Sequence, residues 1–259
     1  MTALLLTFTG LYGLVIGSFL NVVIYRIPRP VKFFGQRSAC PGCNTQLKWY
    51  HNIPVMSWLV LRGRCGFCRQ PISMRYPLVE LLNAALYLML AWRFGFTWEF
   101  AAFAVLGSML IAIFFIDLDF QIIPDVISLP GIVIGLAFAL APGGITILDS
   151  ITGVLVGGGS LWLIAILGDW LFKKDSMGGG DIKMAGMLGA FLGWQKILFI
   201  FMASAVIGLV VSIALMAFSA KLRQERVVPF GPFLAMAALL AIMYGDRLIN
   251  LYTSTFLPQ

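Results

Sequence analysis

Long apolar runs follow one another along almost the whole chain, broken only by short polar joints, and this pattern leaves few folds open. Such runs fall at about 3–25, 78–94, 98–117, 126–141, 150–172, 181–194, 197–219 and 230–250. A helix needs roughly 20 apolar residues to cross the hydrocarbon core of a bilayer. The chain is therefore expected to be an all-α polytopic membrane protein with about eight transmembrane helices, the sixth of them short. Its composition agrees: 60% of residues are apolar and 11% charged, and the mean hydropathy is +0.94. No Lys or Arg precedes Arg26, so the first run lacks the basic start of a cleaved secretory signal and is expected to be a retained span.

The net charge of +7 is concentrated rather than spread. Nine of the 18 Lys and Arg lie between Arg26 and Arg75, a stretch without Asp or Glu. Basic loops of membrane proteins face the cytoplasm, so this loop is expected there. Alternation of the spans then puts Lys173, Lys174, Lys221, Arg223 and Arg226 on the same side, with Arg93, Lys196 and Arg247 opposite. The positive charge thus reads as an orienting signal, with no nucleic-acid partner expected and membrane lipid as the surroundings.

The chain is expected to divide into a first span at 1–25, a soluble segment at 26–77 and a membrane domain at 78–259. The soluble segment is too small to hold a core unaided and carries all four cysteines. Cys40-Pro-Gly-Cys43 and Cys65-Gly-Phe-Cys68 form two C-x-x-C knuckles separated by 21 residues. Two such turns can present four thiolates to one ion, the tetrahedral arrangement that suits structural Zn2+. Two disulfides are the competing reading, opposed by a reducing cytoplasm. A redox C-x-x-C would sit beside a βαβ pattern, which is absent from the sequence.

Carboxylates in or beside hydrocarbon are costly and therefore candidates for function. One group, Asp117, Asp119 and Asp125, closes the third span and opens the fourth. The other, Gly178-Gly-Gly-Asp181, opens the sixth. By alternation both lie at the cytoplasmic edge. Two carboxylates held together share one proton, and such a pair can activate water while protonating a departing amine, which is aspartic-peptidase chemistry. Gly178 and Gly180 would shape the backbone beside Asp181. The plainer readings are that Asp119 and Asp125 are interfacial caps, that the three glycines are a linker, and that Glu80 and Asp169 pair with basic loop residues. His51, the sole histidine, leaves little material for histidine-based catalysis. Gly157-Gly158-Gly159 reads as a helix-packing feature. A different class, an ion- or proton-coupled transporter, would use Asp117, Asp119, Asp125 and Asp181 as a relay, but no further carboxylate continues it through mid-span.

The runs Gly17-Ser-Phe-Leu-Asn21, Asn52-Ile-Pro54, Arg75-Tyr-Pro-Leu-Val-Glu80, Ile116-Asp-Leu-Asp119, Pro124-Asp125, Gly178-Gly-Gly-Asp181 and Pro229-Phe-Gly-Pro232, with the paired knuckles, occur in an order that resembles the bacterial prepilin peptidases. That resemblance covers nearly the whole chain. It implies a membrane aspartic endopeptidase of the bacterial inner membrane, with its active site facing the cytoplasm. Its catalytic residues would be Asp117 and Asp181. The substrates it implies are prepilin and pseudopilin precursors of type IV pili, type II secretion or competence systems, cut to remove a short basic leader. It further implies methylation of the new N-terminal amine by S-adenosylmethionine, with Gly63 linked to methyl transfer. Many members carry an acidic residue where this chain has His51. Pro229-Phe-Gly-Pro232 is expected either to offer backbone partners to an unwound substrate or simply to start a helix.

Overall fold

The computed structural model describes residues 3–33, 35, 37–173, 177–218 and 229–256. Lys174, Lys221, Arg223 and Arg226, part of the orientation argument, lie outside the described residues. The described chain is helical apart from turns and two isolated bridges. Its helices are α1 (Ala3–Arg26), α2 (Met56–Val60), α3 (Arg75–Phe94), α4 (Trp98–Phe120), α5 (Asp125–Phe138), α6 (Ile147–Phe172), α7 (Gly179–Phe218) and α8 (Gly231–Phe256), with one 3-10 turn at Trp49–Asn52. Each of the eight expected apolar runs is found in a helix. Six helices, α1, α3, α4, α6, α7 and α8, contain stretches long and apolar enough to cross a membrane.

The chain forms two compact units, Met1–Ala112 and Ile113–Gln259, with the division inside α4. In the first, α1 and α3 run antiparallel with their backbones close together. The reason is visible at every turn of the contact. Gly10 faces Leu88, a Cβ at Gly13 would lie 2.7 Å from the Ala84 Cα, and one at Gly17 would lie 2.6 Å from the Glu80 Cα. Small residues at this spacing let membrane helices gain packing that lipid cannot supply. The contact is sealed by buried amides. Asn21 donates to the Tyr76 carbonyl at 3.0 Å, and Asn83 donates to the Gly13 carbonyl at 2.8 Å while accepting from the Ser108 hydroxyl at 2.9 Å.

In the second unit, α7 is not one straight helix. Gly193 has φ 79° and ψ 171°, which breaks it, and the contacts on either side show a reversal. A Cβ at Gly157 of α6 would meet both the Ala185 carbonyl and the Ile197 side chain. In a continuous helix those two residues would be about 18 Å apart, too far to touch one atom. The arms before and after Gly193 therefore fold back on each other, and the two apolar runs expected here are two passes. Gly193 is where the chain needs a residue without a Cβ, because positive φ is costly for others. Of the three glycines at 157–159, Gly157 serves close packing as expected, whereas Gly159 faces open space. Gly153 and Gly189 approach so closely that neither position has room for a side chain. The Ser150 hydroxyl donates to the Ala190 carbonyl at 2.6 Å across the same seam. The second arm of α7 runs antiparallel to α8, with Gly208 against Phe233 and a Lys196–Asp246 ion pair of 2.9 Å toward the other end.

Two helices of this unit are short. α5 has 14 residues, and the first arm of α7, from Gly179 to Leu192, is equally brief. Each spans about 21 Å, against roughly 30 Å of hydrocarbon.

Candidate active site and cysteine cluster

The carboxylate groups meet at helix ends in the second unit. α4 ends at Phe120 because Gln121 turns to φ 54° and donates its N–H to the Asp117 carbonyl at 2.9 Å, a left-handed stop one residue past the helix. The chain then passes through Ile122 and Ile123 to Pro124, which starts α5. Asp181 lies in the first turn of α7, directly after the glycine run, and its N–H donates to the Gly178 carbonyl at 3.1 Å. Asp117, Asp181, Gly178 and Gly180 all line one cavity of about 390 Å³, together with Gln121, Ile122, Ile123, Pro229 and Phe230. Asp117 is 4% exposed. Its charge lies within Coulombic reach of Asp181.

The glycines have separate tasks. A Cβ at Gly180 would stand 2.9 Å from the Ile123 Cβ, so this position must be bare for α7 to close on the α4–α5 joint. Gly178 lies beside the Asp181 carboxylate, and Gly179 faces open space. The glycine run is thus more than a linker at two of its three positions.

The other acidic residues go elsewhere. Both Asp125 carboxylate oxygens accept from Lys183 Nζ, at 2.8 and 2.7 Å, which ties α5 to α7 two residues beyond Asp181. Asp119 is exposed and is not part of the cavity lining. Glu80 differs from expectation. Instead of a basic loop residue, it accepts from the Val55 N–H at 2.7 Å, with Ser18 within reach, and it is buried. The physical reason lies in Val55, whose φ of 61° is a costly conformation for a β-branched residue and turns its N–H toward the carboxylate. No sequence pattern signals that pairing. The contact of Gly231 with Asp117 was equally invisible, although both residues sit at span ends assigned to one side.

In the first unit the four cysteines converge. All are free thiols, and their Sγ atoms lie within 4.8 Å of one another, with 3.8 Å between Cys40 and Cys68. The two knuckles are built alike. Cys40 N–H donates to Thr45 and Cys65 N–H to Gln70, while Asn44 donates back to Cys40 and Arg69 to Cys65. Asn44 and Arg69, each directly after a second cysteine, take φ 53° and 61°. The Cys68 and Phe67 N–H groups hold the Cys65 thiol down to about 6. Cys68, although its contact with Gln70 lowers it, is pushed up to about 11 by burial and the crowding thiols. Four thiols so close ionise together only around a cation, and the cluster can hold a metal ion.

Gly63, implied in methyl transfer by resemblance, supports the second knuckle. Its φ is 65°, its N–H donates to the Trp58 carbonyl at 2.8 Å, and its carbonyl accepts from Ile72 at 2.7 Å. A Cβ there would lie 2.8 Å from the Trp58 ring. His51 stacks edge-on against Phe67 beside this knuckle.

Together these features define a polytopic helical membrane protein with a carboxylate pair in a cavity at its helix ends and a separate four-thiol module. The bacterial peptidase A24 N-terminal domain matches residues 11–94, and the type IV leader peptidase family matches residues 104–213. The prepilin leader peptidase/N-methyltransferase of Aeromonas hydrophila is 38% identical, over 95% of this chain and 93% of its own. The proteins of that name from Stutzerimonas stutzeri and Pseudomonas aeruginosa are 37% and 35% identical, covering 93% and 94% of this chain and 91% and 92% of theirs. No solved structure matches the chain. The chain belongs to the type IV leader peptidase family.

Proposed function

We propose that the protein is a prepilin leader peptidase that also methylates its product, with Asp117 and Asp181 as the catalytic pair. The observation that carries this reading is the cavity in which a buried Asp117 and Asp181 face the same space at the ends of two helices. One carboxylate takes a proton from water as the oxygen attacks the scissile carbonyl, and the other donates its proton to the amine as the C–N bond breaks. Family membership supports prepilin-type precursors as substrates, and nothing supports a transporter.

The short helices bear on how a membrane substrate is reached. α5 and the first arm of α7 both start beside the carboxylates and fall about 9 Å short of the hydrocarbon thickness. With their far ends at the opposite face, the site would be recessed on its own side, where the start of an apolar helix would lie. An inner-membrane protein with this face toward the cytoplasm would cut there, leaving the basic leader in the cytoplasm. Precursors of type IV pili, type II secretion and competence systems are the proposed substrates.

Residues 26–77 are the proposed soluble module, and Cys40, Cys43, Cys65 and Cys68 the ligands of one Zn2+. A zinc–sulfur distance of about 2.3 Å puts sulfurs roughly 3.8 Å apart in a tetrahedron, which fits the cluster. The four thiolates would hold the metal between the two knuckles, where it would supply a structural cross-link. S-adenosylmethionine is the proposed methyl donor and would supply the methyl group for the new N-terminal nitrogen. Gly63 would contribute to that step through the shape of the second knuckle.

The test is cleavage of a prepilin precursor by purified protein in detergent, followed by mass. Asp117→Asn and Asp181→Asn are each expected to abolish cleavage, because the pair needs both carboxyl groups. Full activity in either variant refutes the assignment.

A further inference from the structure

The start of α8 makes a contact with the proposed catalytic pair that its sequence does not advertise. The Phe230 carbonyl accepts from both Phe233, at 3.0 Å, and Leu234, at 3.2 Å, so Phe230 caps the helix and Gly231 is its first residue. The first N–H groups of a helix have no partner within it. Here Pro232 has none to offer and Phe233 is spent on Phe230, which leaves Gly231 as the first-turn donor beside Asp117. Its N–H lies within reach of the Asp117 carboxylate. The fit is tight: a Cβ on Gly231 would lie 2.5 Å from Asp117 Oδ2 and 3.2 Å from Cγ. It would also meet Ile123 Cδ1 at 3.2 Å. Ile123 is the residue against which Gly180 closes as well. Two bare backbones, one next to Asp181 and one at the start of α8, thus press on a single isoleucine just past Asp117.

We propose that Gly231 is a positioning residue for peptide cleavage, its N–H and its missing side chain together fixing the Asp117 carboxylate in the orientation that faces Asp181. The inference rests on the Asp117–Asp181 reading above. It replaces a substrate-binding role for Pro229-Phe-Gly-Pro232 with one in holding the catalytic group. A methyl at this position would be about 1 Å inside ordinary contact, and a misplacement of that size costs about 100-fold in rate.

The experiment measures kcat and KM on a prepilin precursor with the full-length enzyme in detergent. Gly231→Ala is expected to lower kcat about 100-fold with KM within about twofold, since the group that moves does not bind the precursor. Gly231→Ala combined with Ile123→Val removes the Ile123 Cδ1 atom that the methyl would also meet and is expected to recover about tenfold of that loss. The double variant also serves if the single one does not accumulate. Wild-type kcat in Gly231→Ala, or in the double variant where only that one folds, overturns the inference, as does a loss seen only as a raised KM. Asp117→Asn and Asp181→Asn run alongside. If either of those is active, the pair itself is wrong; if both are dead while Gly231→Ala is fully active, only the positioning role fails.

Discussion

Replacing Gly63 by serine separates a structural role in the thiol module from a direct one in methyl transfer. Two costs can be worked from the structure. Holding a non-glycine residue at φ 65° costs about 1–2 kcal/mol. The new Cβ would stand 2.8 Å from the Trp58 ring, which is itself held by a 3.1 Å bond from its indole N–H to the Ile72 carbonyl. Moving that ring off its rotamer costs roughly 0.5–1.5 kcal/mol. A total of about 2 kcal/mol falls on the knuckle that carries Cys65 and Cys68. Because metal binding and folding of so small a module are one equilibrium, that energy should appear as weaker metal retention. The assay is a chelator titration of the purified protein, which is expected to release about one metal per chain. For Gly63→Ser the same release should come at about 30-fold less chelator, with 1.4 kcal/mol per tenfold. Gly63→Asn tolerates the backbone conformation and should lose less of it. Peptide cleavage should survive better than methylation. Retention of metal within about threefold of the unsubstituted protein, with methylation lost, would refute the structural reasoning and leave Gly63 as a contact for the methyl donor.

Asn83→Leu removes two bonds, to the Gly13 carbonyl and from the Ser108 hydroxyl, and strands a chain that continues to Tyr87 at 3.1 Å. It is expected to destabilise the α1–α3 packing by about 1–3 kcal/mol, read as a lower unfolding midpoint in detergent. Glu80→Ala leaves the Val55 N–H without its acceptor, so nothing from Glu80 holds the strained backbone in place. Residues 53–57 should then exchange amide hydrogen roughly 10- to 100-fold faster, as release of about 1–3 kcal/mol of strain implies. Unchanged exchange would show that Glu80 does not hold this segment.

Several properties were legible in the amino-acid sequence because each is local. The bilayer sets the length of an apolar run, so the run lengths alone revealed a polytopic helical protein. The C-x-x-C spacing places two thiols on one turn, so the convergence of Cys40, Cys43, Cys65 and Cys68 followed from two short strings. Even the reversal in α7 was foreshadowed by the gap between two apolar runs near Gly193. What the tertiary structure alone decided was pairing. Asp117, Asp119 and Asp125 carry the same group within nine positions, yet one lines the cavity with Asp181, one is exposed and one binds Lys183. Glu80 faces a backbone N–H because Val55 is twisted toward it, and Gly231 meets Asp117 because the start of α8 packs against the end of α4. A side chain's chemistry is written in its own residue, but the partner it meets depends on how helices distant in the chain pack, and that depends on glycines whose only contribution is the space they leave.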